Sequence, residues 1–270
     1  MNIWQAFVDL IASALTIFAE LIANMGIPYS FGFAIILFTL VIKLVTLPLT
    51  LQQLRASKAM QDLQPELQEL QKKYKGDREK MSQAQMELYK QAGVNPLGGC
   101  LPMLVQLPIW FALYRALFSL AQQGVLDEGF FWIPTLAEPT NLSWLWPLPP
   151  SVGWATAAAF MVLPILTVIS QVIVQKMMTP SNPDPQQASM NQMMTLMPLM
   201  FGFFALQVPQ GLSLYWVTSN IFSVVQQYFV SGWGGLKRSA TAAEASVRPA
   251  SPAPADTKGT KTDGKRKKKR

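Results

Sequence analysis

The chain has 270 residues, half of them apolar and only 14% charged, with a mean hydropathy of +0.23 and a formal net charge of +7. A soluble protein carries about 25% charged residues, so the composition excludes an ordinary soluble domain and points to an all-α polytopic membrane protein. One cysteine (Cys100) excludes an intramolecular disulfide, and the absence of histidine excludes imidazole metal sites and histidine acid–base catalysis.

No phosphate-binding glycine loop or cluster of metal-ligating residues occurs either, so no metal, cofactor or catalytic residue is expected. In chain order, residues 1–27 read as an amphipathic helix lying in the outer membrane interface. Ile3, Phe7, Leu10, Ala14, Phe18, Leu21 and Met25 share the apolar face, opposite Asn2, Gln5, Asp9, Ser13, Thr16, Glu20 and Asn24. An additional span is the alternative, with Gly26-Ile27-Pro28 then forming a tight turn. Residues 28–53 hold the first span. Its apolar run Phe31–Leu51 is long enough for a hydrocarbon core of about 30 Å. Lys43 sits near its middle, where a cation costs about 2.5–3.5 kcal/mol on insertion scales. Thr39, Lys43, Thr46 and Thr50 follow helical spacing, which puts a polar stripe on one face. The stripe fits a wet cavity inside the membrane; a lysine snorkelling to headgroups is the alternative.

Residues 54–94 change character, with eight basic and six acidic residues between 54 and 92. Leu63, Leu67, Leu70 and Tyr74 form a narrow apolar seam that Met81, Ala84 and Leu88 continue. Pro65 suits a first helical turn, Gly76 a reversal and Asp77 an N-cap, so the segment predicts a protruding helical hairpin. A loop without a task is the alternative.

Residues 95–232 hold four more spans. The second, from Asn95 to Leu120, contains Gln106 and, near its far end, Arg115. Residues 121–152 have no Lys or Arg, and Trp132, Trp144 and Trp146 fit an interfacial aromatic belt. The third span, about 153–176, carries Thr167, Gln171 and Gln175 on one face, and a polar loop follows it. The fourth, about 189–208, is methionine-rich, which suits ordinary packing or a surface that meets varied apolar partners. The fifth, about 211–231, aligns Trp216, Asn220, Ser223 and Gln227. Residues 233–270 are too polar to bury a core and end in Lys265, Arg266, Lys267, Lys268, Lys269 and Arg270, a disordered basic tail.

The uneven placement of bases sets the orientation. Hairpin and tail belong in the cytoplasm or stroma, and the N-terminus belongs outside. Three spans with one polar face each would enclose a hydrophilic groove with a positive centre, lacking the paired carboxylates of a proton-coupled pump. This much suits transient hydrogen bonding to a passing chain. A small channel or transporter, or a non-translocating assembly factor, is the competing reading.

Several motifs occur in a fixed order. They are LPLT (Leu47–Thr50), NPLGGCLP (Asn95–Pro102) running into LPIWFALYRAL (Leu107–Leu117), QKM (Gln175–Met177) and GLSLYW (Gly211–Trp216), the last followed by Ser219, Asn220, Gln226 and Gln227. In combination they resemble the YidC/Oxa/Alb membrane-protein insertases over about residues 28–232, and DEGFFWIPTL (Asp127–Leu136) is similar to the cyanobacterial and thylakoid branch. The resemblance implies a five-span bundle that inserts nascent membrane proteins into the lipid bilayer without nucleotide hydrolysis. It implies a groove cation at Lys43, where the family commonly has Arg, so the charge stays while bidentate geometry is lost. It implies groove-lining roles for Gln175 and Trp216 beside Tyr215, a hairpin needed for insertion and a tail that helps recruit ribosomes. Ribosomal RNA, anionic lipid or simple solubility are the tail's candidate roles. A Sec-type translocon stays open as a partner, DNA is not expected, and a monomer suffices. The expected location is a bacterial plasma membrane, with the thylakoid as alternative, because no transit peptide precedes the first helix.

Overall fold

A computed structural model of the protein describes residues 2–94, 101–146, 151–178, 188–233 and 236, without the side chains of 78, 101–105 and 188–195. Asn95–Cys100 of the NPLGGCLP motif, the polar loop at 179–187 and the basic tail with Lys265–Arg270 therefore lie outside the described residues. The described chain is helical: α1 (Ile3–Asn24), α2 (Ser30–Val45), α3 (Leu47–Asp62), α4 (Gln64–Lys73), α5 (Arg78–Gln91), α6 (Leu101–Gln122), α7 (Trp154–Met178), α8 (Ala188–Ala205) and α9 (Gln210–Ser231). By length and hydropathy α1 and α7 are each able to cross a membrane, and α2 with α3 makes a third candidate as a pair bent by 66°.

That bend corrects the expected continuous first span. Pro48 has no N–H to give, so it is comfortable only in the first turn of a new helix. α2 accordingly stops at Val45 and α3 begins at Leu47. Lys43 thus stands in the last turn of α2 and not at mid-helix.

The buried stripe of α1 also differs from the expected face. Val8, Ile11, Leu15, Ala19 and Ile22 pack against α2 and α6, while Ile3 and Leu10 are 89% and 64% exposed. Phe7, Ala14 and Phe18 of the expected face are half-buried against the core, so the buried stripe is rotated by about one residue from it. Apolar residues occur on more than one side of this helix, and periodicity alone does not fix which side is innermost.

The hairpin forms as its punctuation predicts. Pro65 lies in the first turn of α4, Gly76 takes a left-handed φ of 100°, and the Asp77 carboxylate accepts from Lys80 N at 3.1 Å to cap α5. Leu67 is fully packed in the seam, with Leu70, Tyr74, Met81 and Leu88 half-buried. Tyr89, which the pattern left out, is buried too and accepts a hydrogen bond from Gln85.

α7 and α9 run parallel. Three hydrogen bonds tie them at a constant separation of 50 residues: Gln210 Nε2 to Phe160 O, Asn220 Nδ2 to Ser170 Oγ and Gln227 Nε2 to Met177 O. Equal separation along both chains means that neither helix slips against the other. The first bond has a local cause. Pro164 cannot donate to the carbonyl four residues earlier, so Phe160 O is left open and Gln210 fills it at 2.9 Å. The last bond, with Gln61 Nε2 to Met178 O, satisfies carbonyls that every helix leaves orphaned at its C-terminus. Lys58 does the same for Val230 O at the end of α9, so α3 pins both helices at that end.

At the opposite end, residues 126–146 between α6 and α7 form a structured clamp. Glu128 accepts from Ser30 N at 3.1 Å, Phe31 N at 3.3 Å and Ser30 Oγ at 3.2 Å, capping α2, whose own N-cap Tyr29 makes no side-chain cap. Leu136 O and Glu138 O accept from Gly211 N and Gln210 N at the start of α9. Phe130 packs directly against Gly32, where a Cβ would come within 1.9 Å of the ring's Cδ2. Of the three tryptophans assigned to the interfacial belt, Trp132 and Trp146 are exposed, but Trp144 is only 3% exposed and donates to Leu206 O at 3.0 Å. Trp144 is a core residue.

Candidate functional site

α2, α6, α8 and α9 together border a cavity of about 460 Å³. Lys43 enters it from the last turn of α2, and its ammonium donates to Ser223 Oγ of α9 at 3.0 Å. Ser223 in turn donates to Ser219 O one turn earlier, which orients its oxygen toward the lysine. An ammonium group carries three donors, and Ser223 uses one. No carboxylate lines the cavity among the described residues, so the positive charge is not neutralised there.

Two walls differ in chemistry. On one side Gln106 donates to Tyr215 Oη, and Asn220, Ser219 and Ser223 add further polar groups. Facing them, α8 contributes Met197, Met200, Phe201 and Phe204. Trp216 sits between, stacked on Trp110 at 6.0 Å and touched edge-on by Phe201 at 5.7 Å. The expected hydrophilic groove is therefore amphipathic: one wall hydrogen-bonds and the other offers soft, deformable apolar surface.

The structure brings Lys43, Gln106, Tyr215, Trp216 and Asn220 to this lining. Thr39 and Thr46 stay out of it. Their hydroxyls donate to Ile35 O at 2.7 Å and Ile42 O at 2.8 Å within α2, so their polarity is spent inside the helix. Gln171 and Gln175 are half-buried on α7 outside the lining, and Gln175 has partners within the fold. Ser219, Trp110, Met197, Met200, Phe201 and Phe204 line the cavity without having been singled out as site residues. The methionine stripe and the Ser219–Ser223 repeat were the available signals.

A sequence profile of the 60Kd inner membrane protein family matches residues 22–234, from the end of α1 through α9. The chain belongs to that family. It is the YidC/Oxa/Alb family that the motifs resemble. Relatives include ALBINO3-like protein 1, chloroplastic, of Arabidopsis thaliana, 43% identical over 87% of this chain and 50% of its own length. Inner membrane ALBINO3-like protein 2, chloroplastic, of Chlamydomonas reinhardtii is 46% identical over 78% of this chain and 52% of its own. The protein named membrane protein insertase YidC of Syntrophobacter fumaroxidans is 42% identical over 75% of this chain and 35% of its own. The chain thus spans about half the length of its chloroplast relatives and about a third of that bacterial one.

Proposed function

We propose that this protein is a membrane-protein insertase of the 60Kd inner membrane protein family, and that the Lys43 cavity receives the polar flank of an incoming hydrophobic segment. The observation that carries the reading is the cavity's two-sided chemistry. A flank in transit needs hydrogen-bond partners and favourable charge, while the segment behind it needs an apolar surface that leads to lipid. Gln106, Asn220 and Lys43 supply the first, and Met197, Met200 and Phe204 supply the second. An unpaired ammonium lowers the cost of bringing a carboxylate or a carbonyl-rich backbone into the bilayer. Charge suffices for this, so bidentate geometry is not needed. No bond is made or broken, and no nucleotide is consumed.

In this reading α2, α6, α7, α8 and α9 are five spans, with the α4–α5 hairpin and the basic tail on the cytoplasmic or stromal side. The N-terminal helix lies in the opposite interface. Gln5, Asp9, Ser13 and Glu20 are exposed along most of its length and would face acyl chains in a span. Nascent membrane proteins are the substrates. Docking at the hairpin comes first, the ribosome is held by the tail, and a bacterial plasma membrane or thylakoid houses the protein.

The test is insertion of a single-span substrate with an acidic outgoing tail into liposomes holding only this protein. Lys43→Arg is expected to match wild type and Lys43→Glu to lose most insertion. Equal insertion by both variants would remove the charge from the mechanism. Crosslinks to the substrate from position 197 or 216, with none from position 171, are expected on the same reading.

A further inference from the structure

A second and larger cavity, about 1040 Å³, opens between the first turn of α1, the face of α6 that carries Arg115, and the end of α8. It shares Leu107, Trp110 and Phe204 with the Lys43 cavity but has its own cation, Arg115. Arg115 is exposed and makes no hydrogen bond or ion pair with any described residue, and no carboxylate lines the space. Trp4, Trp110, Phe111 and Tyr114 wall it. Phe111 and Phe204 remain 49% and 47% exposed, so the mouth opens sideways from the bundle.

A guanidinium seven residues before the end of α6 lies about 10 Å below that end at 1.5 Å per residue. An unpaired cation at that depth is costly in hydrocarbon and needs either water or an anion. A snorkelling side chain reaches toward the headgroup layer. Trp4, exposed in the first turn of α1, and Tyr114, beside Arg115 in sequence, are of the side-chain types that settle at that layer.

We infer that this cavity is a binding site for one anionic lipid, whose phosphate or sulfonate headgroup pairs with Arg115 while its acyl chains lie along Trp110, Phe111 and Phe204. The planar guanidinium fits two oxygens of such a headgroup at once, which a zwitterionic lipid with its own cation offers less freely. The leaflet concerned is the one on the side of the clamp between α6 and α7, where α6 ends. The site does not depend on the insertase reading, because the same cation and aromatic walls would hold the lipid whether or not a substrate passes.

Native mass spectrometry of the full-length protein in detergent, with equimolar phosphatidylglycerol and phosphatidylcholine, reads the occupancy directly. Wild type is expected to retain phosphatidylglycerol with a roughly tenfold preference, the scale of one charge-assisted hydrogen bond. Arg115→Gln is expected to lose that preference and Arg115→Lys to keep part of it. Phe204→Ala is expected to weaken retention of both lipids. A melting temperature unchanged in Arg115→Gln separates loss of the site from loss of the fold. Equal retention of the two lipids by wild type, or a preference that survives Arg115→Gln, overturns the proposal. So would inorganic phosphate displacing the lipid, which would mark an anion site without acyl recognition. Crosslinking of Arg115 positions to an acidic substrate tail with no lipid preference would assign the cation to the substrate instead.

Discussion

Glu128 offers the sharpest test of how the cavity is held in shape. Its carboxylate is half-buried and takes three hydrogen bonds from the start of α2, two of them from backbone N–H groups with no helical partner. Loss of an N-terminal cap costs about 0.5–2 kcal/mol, and a hydrogen bond to a charged group is worth about 1.5–3 kcal/mol net. Partial exposure lets water replace some of this, so Glu128→Ala is expected to cost about 2–3 kcal/mol. Glu128→Gln keeps one acceptor and should cost about half as much, roughly 1 kcal/mol. At about 2–4 °C per kcal/mol for a chain of this size, the alanine variant should melt about 5–10 °C lower in detergent. Glu138→Ala is the control, because only its backbone carbonyl is engaged and its side chain is exposed. It should stay within about 0.5 kcal/mol of wild type. A Glu128→Ala variant that melts with wild type would refute the claim that the clamp organises α2.

Other outcomes follow from single contacts. Gly32→Ala drives a methyl into the Phe130 ring atoms and should destabilise by about 1–3 kcal/mol through overpacking. Combined with Phe130→Leu it should cost less than the sum of the two single changes, a non-additivity that thermal melts can read. Tyr215→Phe removes the buried acceptor that Gln106 uses, at a cost of about 1–2 kcal/mol. It should also slow insertion of polar flanks in the liposome assay. Asp77 is held below the usual carboxylate range, first by the Lys80 backbone N–H and then by the Lys80 side chain, whose ammonium is 3.0 Å away. With the folded value depressed, its support for α5 is complete above the ordinary carboxylate pKa. It fades only as pH falls through the lowered value. The protection factor at Lys80 N, the exchange rate corrected for its intrinsic pH dependence, should therefore hold from neutral pH through the normal aspartate range and fall only in stronger acid; protection already lost at pH 6 would contradict the cap.

The hairpin was legible because its signals are local. Pro65, Gly76 and Asp77 each act within one turn, and the seam needs only helical spacing. The cavity was legible in part. Lys43, Trp216 and Asn220 stood on stripes that do converge, yet Thr39 and Thr46 stood on the same stripe and bond to their own helix. A hydroxyl has that private option and an ammonium group does not, so spacing alone cannot separate them. The break at Thr46 was written as Pro48, but a long apolar run masked it. Glu128 and Trp144 act across 98 and 62 residues of sequence, and nothing nearby announces their partners. Gln210 is an intermediate case: Pro164 marks an open carbonyl in α7, though only the packing says which side chain fills it.

If α2 crosses alone, as in the proposed five-span arrangement, the break after Val45 also bears on the bilayer. Sixteen residues of α2 rise about 24 Å, short of the roughly 30 Å that hydrocarbon tails normally occupy. Hydrophobic mismatch of that sign is relieved by pinching the two leaflets together or by letting solvent climb the deficit. In that arrangement either response would fall on the side where Lys43 ends its helix, beside the ammonium group that the described residues place in the cavity lining.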